Sequence, residues 1–266
     1  MLLAPLVAAL LLAGPAAPTT AWRTLEPGLE LGLFDGPPGA AGDGKIAIVR
    51  LDPERFELRL LNASAPGEGS PLSARSWAKR SGASAVINAG MYQADYRTAV
   101  SLMRTRDHVN QRRLSKDRTA LLFDPHEAKA PRVRMVDRDC EDLDVEARRY
   151  GTVVQSIRML SCERKNVWAP SDRRWSIAAV GVDGAGRVLF VHAQSAWPVH
   201  EFVNALLALP IDIRRAMYLE GGPEAQLFAR GGGAEVERLG AFTGAQATLT
   251  SEGWPVPNVI AAVRRR

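Results

Sequence analysis

The pattern of apolar and polar residues along the chain predicts many short strands. Residues 45–51 and 56–60 alternate with the period of two that a half-buried strand requires. The four residues between them, Asp52-Pro53-Glu54-Arg55, are typical of a turn, so the two segments are predicted to pair as a hairpin. Further apolar runs predict strands at residues 84–88, 99–103, 119–123, 152–159, 214–219, 226–229 and 259–263.

The clearest hairpin and the clearest helix follow one another. Residues 175–182 and 187–192 are apolar runs separated by the glycine-bearing turn Asp183-Gly184-Ala185-Gly186. Residues 198–209 then carry apolar side chains at the spacing of one buried helix face. A second, short helix is predicted to end near Arg80. Many strands and few helices predict an α+β fold with a mixed, mainly antiparallel β-sheet core and a few packed helices.

The first residues of the chain predict export. Leu2 to Ala13 is almost wholly apolar, and small residues suited to cleavage follow at 14–18. Because this run is shorter than the roughly 20 apolar residues of a membrane span, we interpret residues 1–21 as a cleaved signal peptide, with an N-terminal anchor as the alternative. The protein is then periplasmic or extracellular, with no stable membrane insertion after cleavage. Residues 22–266 are predicted to form one domain, and its Gly- and Pro-rich residues 22–44 to cover an edge rather than form core.

Composition and charge narrow the function only slightly. With 46% hydrophobic and 24% charged residues in 266, the chain has the profile of a globular protein with a sizeable core. The net charge of +5 suits an anionic partner, but no basic block is interleaved with aromatics, so nucleic-acid binding is not predicted. The two cysteines, Cys140 and Cys162, either form one disulfide, as an exported protein allows, or remain two buried thiols.

A cluster of aspartates invites a calcium hypothesis. Asp137, Asp139, Asp142 and Asp144 lie close together in sequence. They lack the glycine and the terminal glutamate of an EF-hand loop, and arginines between them oppose cation binding. We therefore interpret the cluster as a solvated surface of mixed charge, and predict neither a metal nor a cofactor.

Two predicted strands end in glycine-bearing bends that carry the candidate chemistry. Residues 84–88 run into Asn88-Ala89-Gly90-Met91-Tyr92, and residues 214–219 run into Glu220-Gly221-Gly222-Pro223. Glycine lets a ligand approach the main chain, and the proline restricts the residue before it. We hypothesise that the fold brings both bends together in one anionic-sugar pocket. The alternative is two ordinary strand-to-loop turns.

Four segments in the same order resemble the phosphodiester glycosidase family. Val86–Tyr92 resembles its "NAG/NGG plus aromatic" segment, and Tyr218–Pro223 resembles its "LDGG" segment. Between them, Val154–Ser156 resembles a "QSGP" strand and Arg174–Gly181 resembles an "RTAIG" strand. The resemblance implies an exported hydrolase that cleaves the sugar–phosphate bond of a sugar-1-phosphodiester in an envelope or extracellular glycan.

The chain departs from the family pattern at three places. Glu220 stands where the family usually has Asp, which moves the carboxylate by one methylene. Pro223-Glu224 follows the two glycines in place of small Ser-like residues, and Ile157-Arg158 replaces Gly-Pro. These changes bear on the identity of the substrate.

The implied chemistry assigns roles to particular residues. Hydrolysis through an oxocarbenium-like transition state usually needs two carboxylates. Glu220 is the candidate general base or nucleophile, and Asp95 is the candidate second carboxylate, with Glu224 as the alternative. A phosphate contact calls for arginine or backbone N–H groups. The candidate substrate-binding residues are Asn88, Gly90, Tyr92, Gln155, Ser156, Arg174 (the phosphate contact), Gly221 and Gly222.

Other interpretations of the same residues remain open. His192 and His200 either act as an acid or base or are structural. The chain also fits a non-catalytic glycan-binding envelope protein, and a phosphodiesterase that cleaves the P–O bond and would need metal ligands.

Overall fold

The computed structural model describes residues 22–37, 42–241 and 252–266 of the chain, so the predicted export segment 1–21 lies outside the described residues. The helices are α1 (Ala74–Ser81), α2 (Leu143–Ala147) and α3 (Val199–Ala208), and a 3-10 turn spans Gly222–Glu224. The strands are β1 (Trp22–Glu26), β2 (Leu29–Asp35), β3 (Lys45–Leu51), β4 (Phe56–Asn62), β5 (Ala85–Asn88), β6 (Met103–Arg104), β7 (Val109–Gln111), β8 (Thr119–Pro125), β9 (Val133–Asp137), β10 (Tyr150–Arg158), β11 (Arg174–Asp183), β12 (Val188–Pro198), β13 (Ile213–Gly221), β14 (Gln226–Gly231), β15 (Ala234–Leu239) and β16 (Asn258–Arg264).

The strands form two sheets. The larger sheet has the order β1-β2-β3-β12-β11-β13-β10-β6-β7, with β8 pairing to β10 and β9 off this path. The smaller sheet has the order β15-β14-β5-β16-β4. The pairings that join the central strands of both sheets are antiparallel. The predicted α+β fold with a mainly antiparallel core is confirmed.

Alternation along the strands explains how the layers stack. Ala47 and Val49 of β3 face a core shared by the two sheets, whereas Ile46 and Ile48 face the opposite way, toward the cluster that includes α3. Successive strand residues point to opposite faces, so an apolar residue at every position marks a strand covered on both sides. Trp77 of α1 packs on the outer face of the smaller sheet. The order of layers is therefore α1, smaller sheet, larger sheet and α3.

The predicted hairpin of residues 45–51 with residues 56–60 is wrong. β3 pairs with β2 and β12 in the larger sheet, whereas β4 pairs with β16 in the smaller one. The turn at residues 52–55 thus carries the chain from one sheet to the other. Alternation shows that each segment is half-buried, but it does not identify the partner strand, and consecutive strands do not always pair.

The hairpin of β11 and β12 and the helix α3 are confirmed. Val182 pairs with Val188 across the hairpin turn, and α3 buries Val199, Phe202, Val203 and Leu206 on one face. Two other predictions are wrong. Residues 99–103 were predicted to form a strand, but of these only Met103 belongs to one, β6. Residues 22–44 were predicted to cover an edge, but Leu29 and Leu31 of β2 are part of the main core.

The acidic cluster and the cysteines have structural partners. Cys140 and Cys162 form a disulfide, with 6.5 Å between their Cα atoms, that joins the turn after β9 to the turn after β10. Asp137 is fully buried and accepts hydrogen bonds from Arg158 at 3.0 and 3.1 Å. Asp142 caps the N-terminus of α2. Asp139 also pairs with Arg118, at 3.3 Å, so three of the four aspartates have partners within the protein.

Candidate active site

The second glycine bend begins where β13 ends. Gly222 adopts φ +64°, a left-handed conformation that side chains disfavour. A Cβ at Gly221 would overlap the Tyr218 hydroxyl. Both glycines are therefore required locally, and the 3-10 turn that starts at Gly222 carries Glu224 back beside the end of the strand that carries Glu220.

The first bend meets the second in space. Its strand β5 pairs with β14, which follows the 3-10 turn, through Ile87 and Leu227. Asn88 is buried, with 1% of its surface exposed, and its Oδ1 accepts a hydrogen bond from the Gln226 backbone N–H at 3.2 Å. Gly90 lies in the bend, and Met91 lines the same cavity as Glu220. The predicted proximity of the two bends is thus observed.

The two bends share a cavity of about 600 Å³. Its walls are largely aromatic and apolar, and the rings of Trp168 and Tyr218 lie 5.2 Å apart between centroids. Trp175, at the start of β11, is 42% exposed. The lining residues are Met91, Ile157, Trp168, Ser171, Arg173, Trp175, Val199, Tyr218, Glu220, Gly221, Gly222, Pro223 and Glu224. Apolar rings with a few convergent polar groups are typical of a small-ligand site.

Glu220 is the most perturbed acid of the cavity. Burial raises its pKa to about 8, and the charge of Glu224 adds to the rise. The Gly221 N–H donates a hydrogen bond to its Oε1 at 3.0 Å, which opposes the rise and orients the carboxyl group. Glu220 is therefore mostly protonated at neutral pH, as suits a proton donor.

Glu224 and two tyrosines lie within electrostatic reach of Glu220. Burial raises the pKa of the Glu224 carboxyl. Burial and then the charge of Glu224 raise the pKa of Tyr92 to about 12. Burial and then the charges of Glu220 and Glu224 raise the pKa of Tyr218. The predicted residue Tyr92 is thus close to both acids, although it belongs to the other bend.

The structure does not bring Asp95 to this cavity. Its carboxylate is exposed and accepts hydrogen bonds from the backbone N–H groups of Arg97 and Thr98, at 3.0 and 2.9 Å, and from the Thr98 hydroxyl. These bonds, that of the Thr98 hydroxyl first, lower its pKa. Asp95 stabilises its own turn, and Glu224 is the second carboxyl group among the described residues that line the cavity.

Gln155 and Ser156 are buried in β10 and contact protein rather than the cavity. Gln155 accepts a hydrogen bond from the Ser115 N–H at 3.0 Å and donates one to the Asp117 carbonyl at 2.7 Å. The Ser156 hydroxyl donates to the Tyr218 carbonyl at 2.5 Å, which ties β10 to the strand that carries Glu220. Any influence of these two residues on a substrate is indirect.

Arg173, rather than the predicted Arg174, is the cationic residue that lines the cavity. Both arginines are exposed and Arg174 is the first residue of β11, but of the two only Arg173 lines the cavity. The Arg173 backbone N–H donates to the Ser171 hydroxyl at 3.2 Å, so the loop before β11 is turned at this point. Trp168 and Trp175 also line the cavity but were not predicted as site residues. The only feature of the sequence that could have indicated them is their position in and beside a polar loop.

Two carboxyl groups that face one aromatic-walled cavity define a site suited to carbohydrate hydrolysis. The family model of phosphodiester glycosidases matches residues 81–263, which contain every described residue that lines the cavity. The chain therefore belongs to the phosphodiester glycosidase family, a family of hydrolases, and the resemblance seen in the sequence is confirmed.

Solved structures share the fold at low sequence identity. The catalytic domain of zebrafish N-acetylglucosamine-1-phosphodiester alpha-N-acetylglucosaminidase, auto-inhibited by its pro-peptide, matches with a TM-score of 0.63 at 13% identity, over 91% of this chain and 86% of that one. A hypothetical protein from Synechocystis matches with a TM-score of 0.61 at 13% identity, over 94% of this chain. The chain spans 64% of the length of the Synechocystis protein. No curated protein sequence matches the chain.

The helices of the described residues are too short or too polar for a membrane. None of them is a candidate to cross a bilayer.

Proposed function

We propose that the cavity hydrolyses the sugar–phosphate bond of a sugar-1-phosphodiester. The observation that carries the proposal is the meeting of Glu220, Glu224 and Arg173 around one aromatic-walled cavity. The acids suit cleavage at an anomeric carbon, the guanidinium suits a phosphate, and the rings of Trp168 and Trp175 suit the C–H faces of a sugar. The zebrafish enzyme of similar fold is an N-acetylglucosamine-1-phosphodiester alpha-N-acetylglucosaminidase, which supports the same substrate class.

Glu220 is proposed as the general acid. A carboxyl group whose pKa is raised to about 8 carries a proton at neutral pH. It can donate that proton to the leaving phosphate oxygen, and as a neutral group it does not repel the phosphate. This role differs from the base or nucleophile suggested by the sequence, because burial favours the neutral form.

Glu224 is proposed as the ionised partner. It lies on the 3-10 turn that follows Glu220 and lines the same cavity, and it is proposed to carry the negative charge while Glu220 carries the proton. An ionised carboxylate stabilises the positive charge that develops on the sugar ring. Tyr92, whose pKa is raised by burial and then by the charge of Glu224, is proposed to contact the sugar from the other bend.

The remaining predicted residues are proposed to position these groups. Gly221 orients Glu220 through its N–H, and Gly222 keeps the backbone open at the cavity wall. Asn88 holds the end of the 3-10 turn, and Gly90 shapes the bend that presents Met91. Each acts on the substrate through the placement of another residue.

We also propose that the protein is exported and acts on envelope or extracellular glycans, with residues 22–266 as one glycosidase domain. The apolar segment 1–21 and the disulfide between Cys140 and Cys162 support export, because disulfides persist in oxidising compartments. Cell fractionation tests the location. Protein that is found only in the cytosol would contradict it.

The decisive experiment is a screen of purified protein against sugar-1-phosphodiesters, with Glu220→Gln as the control. We expect turnover by the wild type and loss of turnover in a folded Glu220→Gln variant. Hydrolysis in oxygen-18 water should place the label on the sugar, since the C–O bond is cleaved. Label on the phosphate, or full activity of Glu220→Gln, would overturn the assignment.

A further inference from the structure

Two surface segments beyond the cavity lie side by side. The first, residues 92–100, is here called the tyrosine loop. The second, residues 112–118, is called the cationic segment and follows β7. Side chains at the end of β7 and the start of the cationic segment donate hydrogen bonds to the backbone of the tyrosine loop. These bonds run from Asn110 to the Arg97 carbonyl (2.9 Å), from Gln111 to the Ala99 carbonyl (3.2 Å) and from Arg113 to the Val100 carbonyl (3.4 Å).

The paired segments continue the wall of the cavity. The Val100 N–H donates to the Met91 carbonyl at 3.0 Å, and Met91 lines the cavity. Val100 also accepts the hydrogen bond from Arg113. A single backbone position, Val100, therefore separates the guanidinium of Arg113 from a residue of the cavity wall.

The cationic segment carries more charge than its own contacts use. Its sequence, Arg112-Arg113-Leu114-Ser115-Lys116-Asp117-Arg118, holds four cations in seven residues. Arg118 pairs with Asp139 at 3.3 Å. Arg112, Arg113 and Lys116 are exposed, and none of them forms an ion pair with a residue that the structure describes. Like charges held this close repel one another, and together they attract an anion.

Buried side chains hold this segment in place. Gln155, only 2% exposed, binds the backbone of Ser115 and Asp117. The Arg138 guanidinium donates to the Ser115 carbonyl at 2.9 Å, and the Ser115 hydroxyl donates to the Asp117 carboxylate at 2.9 Å. A segment fixed before a ligand arrives loses less conformational entropy on binding. The buried amide of Gln155 thus organises the cationic segment.

The tyrosine loop adds an exposed aromatic ring. Tyr96 is 56% exposed and has φ +54°, a conformation uncommon for a residue with a bulky side chain. Its ring lies 5.7 Å from that of Tyr92, between centroids. Strained backbone of this kind concentrates at functional sites. An exposed ring on a loop that Arg113 of the cationic segment contacts suits a ligand that alternates sugar faces with phosphates.

We propose that the tyrosine loop and the cationic segment form an outer subsite for the sugar-phosphate units next to the one in the cavity. Tyr96 stacks on a sugar ring, and Arg112, Arg113 and Lys116 bind the phosphates that flank it. The natural substrate is then an extended, phosphodiester-linked glycan rather than a single sugar-1-phosphodiester. This inference rests on the proposed function, because it assumes that the unit in the cavity is of the same kind.

The kinetic test compares an oligomer of glucose-1-phosphate units, linked by phosphodiesters, with methyl glucose-1-phosphate as the single unit. In the variant Arg112→Ala/Arg113→Ala/Lys116→Ala, we expect KM for the oligomer to rise about tenfold, from three exposed charge contacts, with kcat unchanged. KM for the single unit should stay within about twofold. Tyr96→Ala should raise KM for the oligomer alone by about threefold to tenfold.

The matched control is Arg23→Ala/Lys79→Ala/Lys129→Ala, which removes the same charge from exposed positions that do not line the cavity. It should leave KM for both substrates unchanged. An equal rise of KM in the control, or an equal loss on the single unit in the subsite variant, would overturn the proposal.

A binding measurement keeps the test independent of turnover. Fluorescence anisotropy of the labelled oligomer with the Glu220→Gln protein should show binding that weakens with salt and with the triple substitution at Arg112, Arg113 and Lys116. If linear polyphosphate of equal charge binds as tightly and Tyr96→Ala has no effect, the subsite is not one for glycans. If the wild type cleaves neither substrate, the proposed function fails, and the anisotropy result still decides whether the subsite exists.

Discussion

Asn88 Oδ1 accepts a hydrogen bond from the Gln226 backbone N–H, at 3.2 Å, although the two residues are 138 positions apart in the chain. Gln226 begins β14, with only Ala225 between it and the turn that carries Glu224, and Asn88 ends the strand that leads to Met91 and Tyr92. One side chain therefore joins the two bends that line the cavity.

Loss of this hydrogen bond should affect stability and catalysis together. Asn88→Ala leaves the buried backbone N–H of Gln226 without its acceptor, so we expect the free energy of unfolding to fall by about 1–3 kcal/mol. Urea denaturation measures this change, and kcat should fall as the turn shifts. Asn62→Ala is the control, because Asn62 is equally buried and bonds to Asn258 in the same sheet. An equal fall of kcat in the control would mean that Asn88 has no special link to the site.

The raised pKa of Glu220 should make stability depend on pH. Burial raises this pKa from 4.5 to about 8, so the folded protein binds the proton more tightly than the unfolded chain does. The stabilisation is complete below pH 4.5 and is lost as pH rises through about 8, a change on the order of a few kcal/mol. Urea denaturation across this range should show the slope in the wild type and a shallower slope in Glu220→Gln. The exposed Glu127→Gln should keep the wild-type slope.

The pH dependence of kcat/KM should identify the role of Glu220. If its protonated form donates the proton, activity on a sugar-1-phosphodiester falls as pH rises through about 8. A plot of log kcat/KM against pH is the measurement. Activity that rises through the same range would show that Glu220 acts as the base or nucleophile instead.

Substitutions of the neighbouring residues Arg173 and Arg174 should have different effects on KM. Arg173→Ala removes the cation that lines the cavity, so KM for a sugar-1-phosphodiester should rise by about tenfold or more. KM for a neutral aryl glycoside should stay within about twofold, since it has no phosphate to bind. Arg174→Ala is the matched control and should change neither value. A larger effect from Arg174 would place the phosphate on the other side of the strand.

The disulfide should stabilise the wall of the cavity. It closes a loop with a sequence separation of 22, for which chain entropy suggests roughly 3 kcal/mol of stability. The turn that contains Cys162 leads into the loop with Trp168 and Arg173. Cys140→Ala/Cys162→Ala should lower Tm and raise KM in step with the unfolding of that loop. Dithiothreitol should have the same effect on the wild type and none on the double variant, and a Tm that is insensitive to both would contradict the prediction.

The local pattern of apolar and polar residues was enough to predict those elements that are formed by contacts between residues near one another in the sequence. The β11–β12 hairpin and α3 follow from apolar periodicity and a glycine turn, because each forms within a few neighbouring residues. The two glycine bends and the family resemblance were equally visible, since a short motif carries its own backbone requirements, as Gly222 shows.

Only the tertiary structure decided which distant residues meet. The partner of β4 is β16, Glu224 joins Glu220 where Asp95 does not, and Arg173 rather than Arg174 faces the cavity. Periodicity shows that a residue is buried or exposed, but a shift of one position moves a side chain to the opposite face of a strand. The placement of such a side chain depends on strand pairing across more than a hundred residues, as between Ile87 and Leu227. The sequence by itself therefore determined the family and the two bends, and long-range pairing decided which side chains complete the site.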